Sequence, residues 1–258
     1  MRRLGQHFLL DSTILDRLVD YGEISSRDVV LEVGAGTGEL TWRLAERAGK
    51  VVAVEIDEKL ASKAYLRISE YSNVELITGD ILRVDVSGFN KVVSNPPYQI
   101  STRLLQWLIL KLPEKIVLTL QREFAQKLTS KPGTKKYVYT SFLTDLFYKS
   151  EIVEEVPRSV FKPIPRVDSV ILSMERRDNS ILYGEEELRF IKILFTQKMK
   201  KLNTVLRSLS KKVGLDLREV ECGPLKERLE KRIYSLNPSE LYESVKFILN
   251  NSRRLINR

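Results

Sequence analysis

The sequence predicts an α/β fold: a mostly parallel sheet flanked by helices and ending in an antiparallel hairpin, followed by a small all-α domain. Three observations predict it. Short β-branched runs alternate with helical stretches through the first two thirds of the chain. Two later runs follow one another with no helix between them. From about Asn179 apolar residues recur only at helical spacing. Val29–Val33 reads as a buried strand, followed by a glycine turn and a helical pattern over 40–48. Residues 51–56 form the next strand and 59–70 the next helix; strands over 74–78, 92–94 and 116–120 follow. Continuous apolar strands separated by helices belong to a parallel sheet, because helices on both faces are needed to keep such strands dry. The runs 152–156 and 170–174 form the hairpin.

The later stripe runs through Leu188, Ile191, Leu194, Phe195, Met199, Leu202, Val205, Leu206 and Leu209. Pro224 and Pro238 break the remainder into shorter helices. The expected domains are therefore 1–178 and 179–258. With 258 residues, 43% of them apolar and 30% charged, the chain can bury a sizeable core. No apolar run approaches the roughly 20 residues of a membrane span, and Asp11 interrupts the apolar stretch a signal peptide needs. The single cysteine, Cys222, excludes an internal disulfide. The single histidine, His7, excludes a His-rich metal site and disfavours a Ser-His-Asp triad. Chemistry here is expected to run without a metal.

The net charge of +9 is uneven. Residues 179–258 hold 17 basic and 10 acidic side chains, against 26 and 24 in the rest. A basic C-terminal third beside a nearly neutral body points to a polyanion, nucleic acid before membrane. The competing reading is a lysine-rich solvated surface.

Glu32-Val33-Gly34-Ala35-Gly36-Thr37-Gly38-Glu39 lies at a strand-to-helix turn. Glycines there let the backbone turn tightly and let a ligand lie against the chain. The bland alternative is a tight βα loop. Glu55 ends the next strand about twenty residues on, where a carboxylate accepts the ribose hydroxyls of an adenosine-containing cofactor. A dinucleotide would put its pyrophosphate on the helix N-terminus, where Glu32 and Glu39 are unwelcome. S-adenosyl-L-methionine, with a sulfonium, an ammonium and no phosphate, fits the turn better. Asp80 after the third strand is either a turn-forming aspartate or an acceptor for the adenine amino group; the company of Gly34, Gly36, Gly38 and Glu55 favours the second.

Ser94-Asn95-Pro96-Pro97-Tyr98 follows the fourth strand directly. Two prolines stiffen the loop, remove two N–H donors and leave carbonyls on show. Asn95 Oδ1 and the Pro96 carbonyl then both accept from an exocyclic amine, and Tyr98 offers a face on which a base stacks. An ordinary proline turn is the alternative, but after a cofactor-type glycine turn the segment signals methylation of an amino nitrogen.

With these motifs in this order the chain resembles the rRNA adenine N6,N6-dimethyltransferases, the KsgA type that acts on small-subunit rRNA, over nearly its whole length. The resemblance implies a Rossmann-like class I methyltransferase sheet. Gly5-Gln6-His7-Phe8-Leu9 resembles the family's N-terminal motif, which implies that Gln6, His7 and Leu9 line the methionine end of the cofactor. It likewise implies cofactor contacts at Glu32, the three glycines, Glu55 with Ile56, Asp80 with Ile81, and Asn95. Gln121-Arg122-Glu123 resembles the family's Gln-Lys-Glu segment, and residues 161–169 match its FxPxPxVxS motif. Two departures stand out: Pro96 replaces the usual Leu or Ile, as in DNA and protein amino-methyltransferases, and His7 replaces a common Asn.

The mechanism expected is positional. Asn95 and Pro96 rehybridise the adenine N6 nitrogen towards the methyl group, while Tyr98 and Phe161 clamp an extruded base. Lys198, Lys200, Lys201, Arg207 and Lys211, gathered around one helical face, are expected to hold phosphates of small-subunit rRNA or of a pre-small-subunit particle. A monomeric, cytoplasmic enzyme with a role in small-subunit maturation is expected. Three alternatives stand beside it: a resistance-type large-subunit rRNA methyltransferase, a DNA adenine methyltransferase, and a non-catalytic ribosome-assembly factor.

Overall fold

A computed structural model describes residues 7–178, 183–213 and 225–256, and the side chains of all of these except 211–213 and 251–256. By contacts the chain forms two compact units, 1–126 with 147–177, and 127–146 with 178–258. Segment 127–146, kept with the first domain on sequence grounds, thus belongs to the second unit.

The first unit begins with the short strand β1 (Phe8–Leu9) and helix α1 (Ser12–Gly22). Asp11 caps α1 by accepting from the Ile14 N–H at 3.1 Å. The parallel part of the sheet comprises β2 (Val29–Val33), β3 (Lys50–Glu55), β4 (Val74–Thr78), β5 (Lys91–Ser94) and β6 (Lys115–Gln121). Helices α2 (Glu39–Ala45), α3 (Glu58–Ile68) and α4 (Ser101–Lys111) connect them, and α5 (Arg122–Leu128) and α6 (Tyr139–Phe147) follow β6. β7 (Tyr148–Val156) and β9 (Ser169–Arg176) add the antiparallel hairpin, so the seven strands run in the order β4-β3-β2-β5-β6-β9-β7. The two-residue β8 (Phe161–Lys162) pairs with β1 apart from that sheet. Central strands are buried along almost their whole length, as their β-branched composition requires. Each fully buried Val, Leu or Ile stabilises this arrangement by roughly 1.5–3 kcal/mol.

This is the expected α/β architecture, with two local differences. β7 starts at Tyr148, four residues before the apolar run that marks it, and a bulge between Ile152 and Glu154 interrupts its pairing. The helical stripe from Leu188 onward is two helices, α7 (Glu185–Phe195) and α8 (Leu202–Val213), with turns between them.

The second unit packs α7 and α8 with a long C-terminal helix, Pro238–Ile256, around Ile191, Leu194, Val205, Leu206 and Val245. Asn237 and Glu240 form a reciprocal cap at the start of that helix. Asn237 Oδ1 accepts from the Glu240 N–H at 2.8 Å, and the Asn237 N–H donates to Glu240 Oε2 at 3.1 Å. Pro238 follows at the first helical position, where its missing N–H is harmless. Among the described residues no helix is long and apolar enough to cross a membrane.

Candidate active site

The parallel strands end in one place, and the residues singled out by sequence sit at those ends. Strand order changes direction at β2 and β5, so the crevice at their carboxyl ends is where such sheets hold ligands. Two adjoining hollows occupy it, of about 380 Å³ and about 700 Å³, sharing Gly34, Glu55 and Pro97.

Ser94 builds the junction. Its hydroxyl donates to the Val33 carbonyl at 2.6 Å and accepts from the Val33 N–H at 3.2 Å, joining β2 to β5 beyond their last ladder pair. Gly34 follows at φ 81°, and a Cβ there would sit 3.2 Å from Pro97 Cδ. Glycine at this point therefore lets the loop carrying Asn95 and Pro97 close on the glycine turn. Gly36, at φ 60°, donates its N–H to Glu55 Oε2 at 2.8 Å, while Glu55 Oε1 accepts from the Asp57 N–H at 2.9 Å. Glu55 is almost wholly buried, and two backbone donors satisfy half of its acceptor capacity. The other half faces the hollows.

Glu32 stands behind the turn rather than in either hollow. It is buried, its Oε2 has no hydrogen-bond partner, and burial pushes its pKa up to about 8. Nearby Glu55 adds to that rise, and the Thr41 hydroxyl, without a well-formed hydrogen bond of its own, offsets it only in part. Gly38, at φ 83°, faces Ala64 on α3, and Glu39 pairs with Arg43 and Arg67. These three residues shape the turn without lining a hollow.

The larger hollow is lined by Ile56, Ile81, Ile100 and Leu82, with Asp80 and Arg103 among its polar members. Asp80 serves both readings at once: its carboxylate accepts from the Leu82 N–H at 3.0 Å, forming a turn, and it lines the hollow. The smaller hollow is lined by His7, Phe8, Asn95, Pro96 and Tyr98. Asn95 Nδ2 donates to the His7 carbonyl at 3.2 Å. The His7 ring stacks on Tyr98, with centroids 5.7 Å apart and planes at 30°, and Nδ1 donates to the Pro163 carbonyl at 2.7 Å. The Tyr98 hydroxyl shares a 2.6 Å hydrogen bond with Ser169 Oγ, and burial raises its pKa above the usual tyrosine value.

Several expectations need correction. Phe161 is only 2% exposed and belongs to the core with Leu15, Val156 and Ile171, so it presents no face to a base. Leu9 pairs with it across β1 and β8, and its side chain lies in the same core rather than against a cofactor. Gln6 lies outside the described residues. Lys198, Lys200 and Lys201 precede α8 instead of sharing a helical face. The Lys198 ammonium donates to the Lys135 and Tyr137 carbonyls at 2.6 and 2.8 Å, which removes it as a phosphate ligand. Lys200 donates to Gln197, and Lys201 pairs with Glu230. Arg207 lies on α8; the side chain of Lys211 is outside the described set. Sequence reading missed Phe8, Ser94, Pro97, Ile100 and Arg103. Phe8, Ser94 and Pro97, embedded in the quoted motifs, carried a local signal; Ile100 and Arg103 did not.

A glycine turn at the end of β2, carboxylates after β3 and β4, and Asn-Pro-Pro-Tyr after β5 together define a class I methyltransferase. The ribosomal RNA adenine dimethylase family model matches residues 1–221. A probable ribosomal RNA small subunit methyltransferase A of Methanosarcina mazei is 40% identical over 92% of this chain and 88% of its own length. Its counterpart in Pyrococcus abyssi is 36% identical over 95% and 91%. Among solved structures, a dimethyladenosine transferase from Plasmodium falciparum superposes with a TM-score of 0.84 at 29% identity, covering 96% of this chain and 98% of that one. The 23S rRNA methyltransferase ErmE gives 0.66 at 26% identity, covering 94% and 99%. The chain belongs to the ribosomal RNA adenine dimethylase family.

Proposed function

We propose that this protein transfers methyl groups from S-adenosyl-L-methionine to the N6 amino group of adenosine in small-subunit rRNA, twice per base and at two adjacent adenosines near the 3′ end. The observation that carries the reading is the Asn95 amide, oriented by the His7 carbonyl inside a hollow continuous with a glycine turn. The residues present fit the cofactor. Glu55 and Asp80 supply acceptors and repel phosphate, and the apolar lining around Ile56 and Ile81 suits an adenine ring. When bound, S-adenosyl-L-methionine supplies a methyl group on a sulfonium that is already a good leaving group.

The chain's own task is to present the amine. Its lone pair is delocalised into the ring, so Asn95 Oδ1 and the Pro96 carbonyl accept the two N–H groups and draw the nitrogen towards sp³. The Pro96 carbonyl has no other partner among the described residues. One face of Tyr98 is covered by His7, which leaves the opposite face for the base. Tyr98 is no general base, because its hydroxyl is tied to Ser169 and its pKa is raised. Positioning therefore dominates.

The helical unit, with its excess of positive charge, is proposed to contact rRNA phosphates through Lys200, Lys201, Arg207 and Lys211. The Lys201–Glu230 pair is exposed and screened by water, so a phosphate can displace the carboxylate. We take the enzyme to be a cytoplasmic monomer acting during small-subunit maturation. Relatives named for the small subunit favour that target over the large-subunit one. Primer extension on both rRNAs after treatment tests the choice: stops near the 3′ end of small-subunit rRNA are expected, and stops confined to large-subunit rRNA would overturn it.

A further inference from the structure

The loop from Lys162 to Ser169 is stitched to the smaller hollow at both ends. Lys162 pairs through its backbone with Phe8, and the Pro163 carbonyl accepts from His7. At the other end Ser169 Oγ bonds the Tyr98 hydroxyl, and the Asp168 carbonyl accepts from the Arg122 N–H at 3.0 Å. Phe8, His7 and Tyr98 all line the hollow, and Pro165 buries the middle of the loop. A loop fixed at so many points holds its outward side chains at a set distance from Asn95.

Those side chains are of two kinds. Lys162 and Arg166 are exposed, and neither side chain makes an ion pair or hydrogen bond among the described residues. Between and beside them Ile164 is 63% exposed and Val167 38%. Arg158, on the turn before, adds a third exposed cation, against one exposed carboxylate, Asp168. The contrast with Lys198, Lys200 and Lys201 is chemical: those ammonium groups already have partners, whereas these do not. Unpaired cations on a rigid loop, interleaved with exposed apolar groups and set beside the hollow that holds Asn95 and Tyr98, complement a strand of RNA whose base has been drawn out.

We propose that Lys162 and Arg166 grip the two phosphates flanking the adenosine delivered to Asn95, while Ile164 and Val167 lie against the neighbouring base. The identity of the delivered base rests on the adenine-methylating function proposed above; the phosphate grip itself is measurable without turnover. The test is a salt series with a fluorescein-labelled RNA hairpin carrying an unpaired adenosine-containing 3′ tail, bound to the full chain and to the double variant Lys162→Ala, Arg166→Ala. The variant is expected to bind roughly tenfold more weakly, and its log–log salt slope to fall by about 1.4, some 0.7 per lost single-strand phosphate. S-adenosyl-L-methionine affinity by calorimetry and the unfolding midpoint should stay parental, since both side chains point into solvent. Ile164→Ser should weaken binding with the slope unchanged. Parental RNA affinity and slope in the double variant would overturn the proposal. If the slope falls but the parent methylates no rRNA, the grip stands and the functional reading fails. If the parent methylates and the slope is unmoved, the grip alone fails.

Discussion

Because the His7 carbonyl can only accept, the Asn95 amide atom that meets it at 3.2 Å is the nitrogen, which leaves the oxygen for the role in amine binding proposed above. Asn95→Ala therefore removes one of two aligned acceptors while leaving the cofactor turn intact. Turnover is expected to fall by roughly two to three decades, about 3–4 kcal/mol, with cofactor affinity within a few-fold of the parent. Steady-state methylation and calorimetry on the same preparation check this; a parental rate would remove Asn95 from the chemistry. Phe161 makes the opposite case. Buried among Leu15, Val156 and Ile171, it should behave as a core side chain. Phe161→Ala is expected to cost about 3–5 kcal/mol of stability. Phe161→Leu should recover most of that stability and keep the parental kcat. A Leu variant that is stable but slow would restore Phe161 as a base clamp.

At the level of elements, the central strands were legible because a strand buried on both faces must be an unbroken β-branched run, and Val29–Val33 appears as read. Val74–Thr78 also appears as read, although it is the partly exposed edge strand of the sheet. β7 was truncated in the reading because its first residues, Tyr148-Lys149-Ser150-Glu151, alternate like an edge strand with a polar side. That Gly34, Gly36, Glu55 and Asn95 line one hollow was legible because each sits at the end of a strand that local spacing marks. Leu9, Phe161 and Lys198 were misread because their surroundings are set by partners 60 or more residues away: Leu9 against Phe161, and Lys198 on the Lys135 and Tyr137 carbonyls. The amino-terminal end of the central strands carries a testable element of its own. Asp28, just before β2, is buried, which by itself would raise its pKa. Hydrogen bonds from Asn90 and Ser25 and the nearby Lys91 ammonium outweigh burial and pull it down to about 2 from 3.8. A folded pKa below the unfolded one contributes stability that is fully present above about pH 4 and is lost as pH falls towards 2. Asp28→Asn should therefore be about 2 kcal/mol less stable than the parent at pH 7, with the gap closing on acidification. Urea unfolding of both proteins across that range decides it; a gap independent of pH contradicts the assignment.

At the scale of the whole molecule, a sheet that ends its strands in one crevice joins a glycine turn to the Asn95–Tyr98 loop, and a basic helical unit accompanies it. Glu55 holds the glycine turn and His7 holds the Pro163 carbonyl and the Asn95 amide, an arrangement in keeping with the proposed chemistry by position. The resemblance visible in the motifs extended to the fold because those motifs occupy successive strand ends of one sheet; the division into units was less legible because segment 127–146 leaves the first unit and returns. The central claim, repeated methyl transfer to an adenine amino nitrogen, is tested most directly by nucleoside mass spectrometry of unmethylated small-subunit rRNA incubated with the protein and methyl-labelled S-adenosyl-L-methionine. The account predicts N6,N6-dimethyladenosine carrying two labelled methyl groups, formed roughly two to three decades more slowly with Asn95→Ala. Label found only on another atom or another base, or no label in the RNA at all, would contradict it.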